Sequence, residues 1–140
     1  MIILVSFTAA GYTERAMEVL VIDDESSVGT LLRFNLRQGG FNVDTAASAA
    51  EGYAKARAGH FDLIILDVAL PGIDGIEACS MIKNLEDYED TPVIMISSRS
   101  DSVTIEQAER AGAADYLVKP FTFQELLDRI EDQLSRPYFV

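Results

Sequence analysis

A chain of 140 residues with 49% apolar content is the size of one domain and can bury a substantial core without disulfides or a structural metal. Its only cysteine, Cys79, excludes an internal disulfide, and a formal net charge of −12 disfavours direct binding to nucleic acid or to an anionic membrane surface. No apolar stretch approaches the roughly 20 residues of a membrane helix, and no basic residue precedes the run Met1–Gly11 as in an export signal, so a reduced, cytoplasmic setting is expected.

Residues 1–16 stand outside the pattern that follows; a mis-assigned start, an expression remnant or an additional strand would each account for them. From Glu18 on, apolar strand-like runs alternate with helical periodicity, as in βα units around a parallel sheet. The first strand, Val19–Asp23, leads into a helix opening near Ser26 with Val28, Leu31, Leu32, Asn35 and Leu36 as its stripe, stopped by Gly39–Gly40. Phe41, Val43 and Thr45 alternate with Asn42 and Asp44, which reads as a half-exposed edge strand. Ser48 and Glu51 form a capping box for the second helix, which ends near Gly59; His60, just past it, is given no role. The third strand, Leu63–Asp67, is continuously apolar up to its acid, as a central strand buried on both faces should be. A Pro71-Gly72 loop and Gly75 precede a helix carrying Ile76, Cys79 and Ile82, and Glu86–Asp90 reads as a solvated acidic loop. Val93–Ser97 is the fourth strand, followed by a helix from about Asp101 to Ala111 anchored by Val103, Ile105 and Ala108. Tyr116–Val118 is the fifth, and the last helix has a Thr122/Glu125 capping box and a stripe of Leu126, Leu127, Ile130 and Leu134. The expected organisation is an extension over 1–16, a folded domain over 17–135 and a tail over 136–140.

The strands end on groups suited to phosphate. Asp23 and Asp24, Asp67, Ser97 and Lys119 each follow an apolar run, and in a doubly wound five-stranded sheet of order 2-1-3-4-5 the first, third, fourth and fifth strands bring them to one crevice. Two carboxylates about 4 Å apart repel by on the order of 4 kcal/mol at an effective dielectric of 20. Mg²⁺ is the natural counter-ion, with Mn²⁺ able to substitute. Asp67 could then act as a carboxylate nucleophile toward a phosphoryl group, with Lys119 offsetting charge and the Ser97 hydroxyl donating to a phosphoryl oxygen. Taken singly, each residue has an ordinary reading as a helix-start acid, turn residue, loop cap or surface charge.

Together these motifs resemble the receiver (response-regulator) domain of two-component signalling, over about Met17 to Leu134 and in the size of the single-domain chemotaxis regulators. The residues that carry the resemblance are Asp23-Asp24 in VIDDE, Asp67 in LIILDVALPGIDG, Ser97 in VIMISS, and Tyr116 with Lys119-Pro120 in DYLVKPF. The resemblance implies a flavodoxin-like (βα)5 fold and an aspartyl phosphate on Asp67. It implies a Mg²⁺ site formed by Asp24 and Asp67 directly, the backbone carbonyl of Ala69, and Asp23 mainly through water. It implies a Ser97–Tyr116 switch, a cis peptide at Lys119-Pro120, and an output surface on the fourth helix, fifth strand and fifth helix. The donor it implies is a phosphohistidine on a sensor histidine kinase or histidine phosphotransfer protein. A separate effector protein is the expected target, with phosphorylation-linked homodimerisation left open.

Ala69 and Arg99 stand where the family tunes the lifetime of the aspartyl phosphate, and a small Ala69 beside a basic Arg99 suggests a comparatively long-lived form. A phosphatase would need a general acid two residues after the nucleophile, where Ala69 stands, so no turnover on external substrates is expected beyond self-phosphorylation and self-dephosphorylation. A phosphate-insensitive interaction module is the remaining alternative.

Overall fold

The computed structural model describes residues 5–8, 11–14 and 16–135; the expected tail over 136–140 lies outside the described residues. Strands β1 (Val5–Thr8) and β2 (Gly11–Glu14) pair antiparallel in a small sheet of their own.

The main sheet is built from β3 (Glu18–Ile22), β4 (Asn42–Ala46), β5 (Leu63–Asp67), β6 (Val93–Ser97) and β7 (Asp115–Val118). All its pairings are parallel, in the order β4-β3-β5-β6-β7, which counted within this sheet is 2-1-3-4-5 as expected. Every residue of β5 and β6 is buried, because helices cover both faces of a parallel sheet and leave its central strands no solvent side. Successive side chains therefore feed two different cores. Leu20, Ile22, Ile64, Leu66 and Met95 pack with Ala49 and Ala56 of α2 (Ala49–Ala58), Ala78, Cys79 and Ile82 of α3 (Gly75–Lys83) and Ala108 of α4 (Ser102–Arg110). Val19, Val21, Ile65, Ile94 and Ile96 pack with Leu32 and Leu36 of α1 (Ser26–Gln38) and Leu126, Leu127 and Ile130 of α5 (Phe123–Ser135). Each such fully buried aliphatic side chain contributes about 1.5–3 kcal/mol.

Three expectations need correction. Leu31 is 60% exposed, and the buried residues of α1 are Gly29, Leu32 and Leu36. Val103 is equally exposed, and α4 is seated by the expected Ala108 together with Thr104. The acidic connection is also not a plain solvated loop. Glu86–Tyr88 is a 3-10 turn in which Tyr88 is buried and its hydroxyl donates to the Ala56 carbonyl at 2.7 Å. Lys83 closes the segment by donating to the carbonyls of Tyr88, Glu89 and Thr91 at 2.9, 2.8 and 2.7 Å. Burial lowers the pKa of this ammonium, as expected for a cation withdrawn from water.

Edge strand β4 turns the carbonyls of Val43 and Thr45 away from β3, since those of its even-numbered residues face the sheet. Arg37 Nη2 donates to Val43 at 3.3 Å and Lys55 Nζ to Thr45 at 2.6 Å.

Candidate functional site

Asp67, the last residue of β5, is 3% exposed, and Asp23, directly after β3, is 4% exposed. A buried carboxylate needs partners for its oxygens, and both acids find them in the same way. Asp67 Oδ1 accepts the Ala69 amide at 3.0 Å and Asp23 Oδ1 accepts the Glu25 amide at 2.9 Å, so each strand-end turn folds back on its own acid. The second oxygens face a common point occupied by Lys119 Nζ, 2.9 Å from Asp67 Oδ2 and 3.4 Å from Asp23 Oδ2.

Lys119 reaches that point because its amide donates to the Ser97 carbonyl at 2.8 Å, continuing the β6–β7 ladder past the strand ends, and the next peptide, Lys119-Pro120, is cis as the resemblance implied. The loop beyond Asp67 is held from below by Gly75, whose amide donates to the Val68 carbonyl at 2.8 Å. A Cβ at position 75 would lie 1.9 Å from the Asp67 carbonyl oxygen, so the first residue of α3 must be glycine for this turn to close.

Burial raises the pKa of Asp23, with the Asp67 charge adding to the effect; the Glu25 amide and the Lys119 ammonium oppose it. Burial pulls Lys119 the other way, yet its pKa is raised overall, because the bond to Asp67 and the charges of Asp23 and Asp67 outweigh desolvation. The site thus holds acids crowded against one another around a single cation.

A third acid joins them. Glu25 Oε1 lies 3.9 Å from Lys119 Nζ, and Asp23, Glu25 and Asp67 each offer an oxygen within 4.8 Å of the others. Asp24, the expected direct metal ligand, is exposed and is not among the three acids whose oxygens lie within 4.8 Å of one another. Sequence reasoning missed Glu25 although VIDDE contains it, because the acidic pair alone was enough to suggest a metal. Three carboxylates against one ammonium leave two negative charges uncompensated. A set of hard carboxylate oxygens with that residual charge fits Mg²⁺.

Ser97, at the end of β6, is fully buried, and its Oγ accepts the Arg99 amide at 3.0 Å. Tyr116 on β7 donates its hydroxyl to the Arg99 carbonyl at 2.7 Å. One peptide segment therefore touches both expected switch residues. The Arg99 guanidinium is turned to Asp101, the N-cap of α4, at 3.4 Å. Ala69 is exposed and has no group able to move a proton.

Residues 19–131 match the family model of the response regulator receiver domain. Response regulator ArlR of Staphylococcus aureus is 39% identical over 119 residues, which cover 85% of this chain and 53% of that protein; the chain thus spans about half the length of such curated relatives. Among solved structures, chemotaxis protein CheY4 of Vibrio cholerae superposes with a TM-score of 0.83 at 32% identity, covering 86% of this chain and 100% of that one. Response regulator protein TrrA of Thermotoga maritima, solved in complex with Mg²⁺-BeF, gives 0.76 at 33% identity, covering 84% and 99%. The buried acids at the carboxyl ends of β3 and β5, the lysine between them and the family match lead to one statement: this chain belongs to the receiver domain family of two-component response regulators.

Proposed function

We propose that Asp67 is the phosphoacceptor, taking a phosphoryl group from a phosphohistidine on a sensor histidine kinase or histidine phosphotransfer protein in a Mg²⁺-dependent reaction. The observation that carries this reading is the setting of its carboxylate, with one oxygen fixed by the Ala69 amide and the other facing Lys119. Receiver domains act as phosphoacceptors in signalling and bind Mg²⁺ through an acidic cluster; Asp23, Glu25 and Asp67 form such a cluster here.

In the transfer a carboxylate oxygen of Asp67 bonds to phosphorus as the P–N bond breaks, and the electron pair returns to the imidazole nitrogen, which takes a proton. The acids of the β3 and β5 turns would hold Mg²⁺, which when bound would supply charge neutralisation for the phosphoryl oxygens. Lys119 gives up its contact with Asp67 Oδ2 to pair with a phosphoryl oxygen. The Ser97 hydroxyl donates to another, which draws on the Arg99 segment and through its carbonyl on Tyr116. The surface altered is that of α4, β7 and α5. It includes a groove lined by Ile105, Ala108, Tyr116 and Val118, which suits a separate effector protein. With Ala69 unable to serve as a general acid, the chain catalyses only its own phosphorylation and dephosphorylation.

Incubation with acetyl phosphate and Mg²⁺ should add the mass of one phosphoryl group. The gain should vanish in Asp67→Asn and on chelating the metal. An undiminished gain in Asp67→Asn would refute the assignment.

A further inference from the structure

Glu25 is the N-cap residue of α1, with extended backbone angles of φ −86° and ψ 100°, yet its side chain makes no capping hydrogen bond. The contrast with the other caps is direct. Ser48, Asp74 and Asp101, at the same position of α2, α3 and α4, each accept the amide three residues on. An N-cap side chain that bonds a free amide ordinarily stabilises its helix. Glu25 forgoes that and extends toward Lys119 and the two buried acids. Its own amide is bonded to Asp23 Oδ1, so the backbone that orients Asp23 also sets the root of the Glu25 side chain.

We propose that Glu25 is a positioning carboxylate of the receiver site, standing at its solvent-facing rim and setting how tightly the site holds a divalent cation. This rests on the metal-dependent reading above and adds to it a residue outside the acidic pair. The two inner acids share their free oxygens with the Lys119 ammonium, which competes with an incoming metal for them. A third carboxylate 3.9 Å from that ammonium can take it over when the metal arrives and can itself attract the metal through solvent. Both effects favour the loaded site.

The test is calorimetric titration of the unphosphorylated chain with MgCl₂ and with MnCl₂, comparing wild type with Glu25→Gln, Glu25→Asp and Glu109→Gln. Glu109 is an exposed acid near the far end of α4 and serves as a control for net charge. Because the Glu25 side chain is 61% exposed, solvent screens its charge, and Glu25→Gln should weaken both ions by about three- to tenfold. Glu25→Asp should recover part of the loss and Glu109→Gln should match wild type. Equal affinities for wild type and Glu25→Gln would overturn the proposal, as would equal losses in Glu25→Gln and Glu109→Gln. A wild-type chain that binds neither ion would overturn the metal reading itself, and this proposal with it.

Discussion

Gly75→Ala isolates the turn that holds the phosphoacceptor. A Cβ there would sit 1.9 Å from the Asp67 carbonyl oxygen and 2.7 Å from both the Asp67 carbonyl carbon and Val68 Cα. All three are main-chain atoms, so no rotamer change relieves the overlap; the backbone must move by more than about 1 Å to restore ordinary contact. Overpacking of this kind costs about 3 kcal/mol or more, and at roughly 4 °C per kcal/mol for a domain of this size the melting temperature should fall by about 10 °C or more. Displacing Asp67 by that distance should also slow phosphorylation from acetyl phosphate by about 100-fold in molecules that remain folded. Gly72→Ala is the control: its φ is +76° with nothing within 4 Å of a Cβ, so only conformational strain of about 1 kcal/mol applies. Thermal melts and mass-resolved phosphorylation of both variants decide the matter. A Gly75→Ala protein as stable and as readily phosphorylated as Gly72→Ala would refute the steric argument.

Lys119→Ala should lower metal-free stability by about 1–3 kcal/mol by leaving Asp23 and Asp67 buried without their cation. Melts with and without MgCl₂ should then show a larger Mg²⁺-induced rise in the variant than in wild type. Tyr88→Phe, which deletes the bond to the Ala56 carbonyl, should cost about 1–1.5 kcal/mol by denaturant titration and leave the phosphorylation rate unchanged. Burial pushes the Cys79 thiol up to about 11, so at pH 8 only about one thiol in a thousand is ionised. Iodoacetamide labelling followed by mass should therefore be negligible in the native chain and prompt in denaturant.

The sheet and the polar groups gathered at its carboxyl edge were legible because the same residues carry both. Leu63–Leu66 and Val93–Ile96 are apolar without alternation, which marks strands covered on two sides, and the polar groups that end them lie at the sheet's carboxyl edge. Asp67, Asp23, Ser97 and Lys119 all stand at that edge as the alternation required. What was not legible concerns direction and small residues. Gly29 and Thr104 seat their helices without registering as hydrophobic, whereas Leu31 and Val103 register as hydrophobic and stand exposed. Tyr88 was hidden among acids, since composition does not show that Lys83 and the Ala56 carbonyl draw that turn inward. At the site itself, spacing cannot say which of three consecutive acids turns inward, and the pairing of Glu25 with the cluster emerges only once the Asp23 turn is folded.

An outer strand whose hydrogen-bonding side is open can recruit a stranger's backbone and seed fibrous growth. On β4 the guanidinium of Arg37 and the ammonium of Lys55 already occupy the outward carbonyls. With those carbonyls engaged, a second copy of the chain finds fewer free acceptors along that border on which to add a strand.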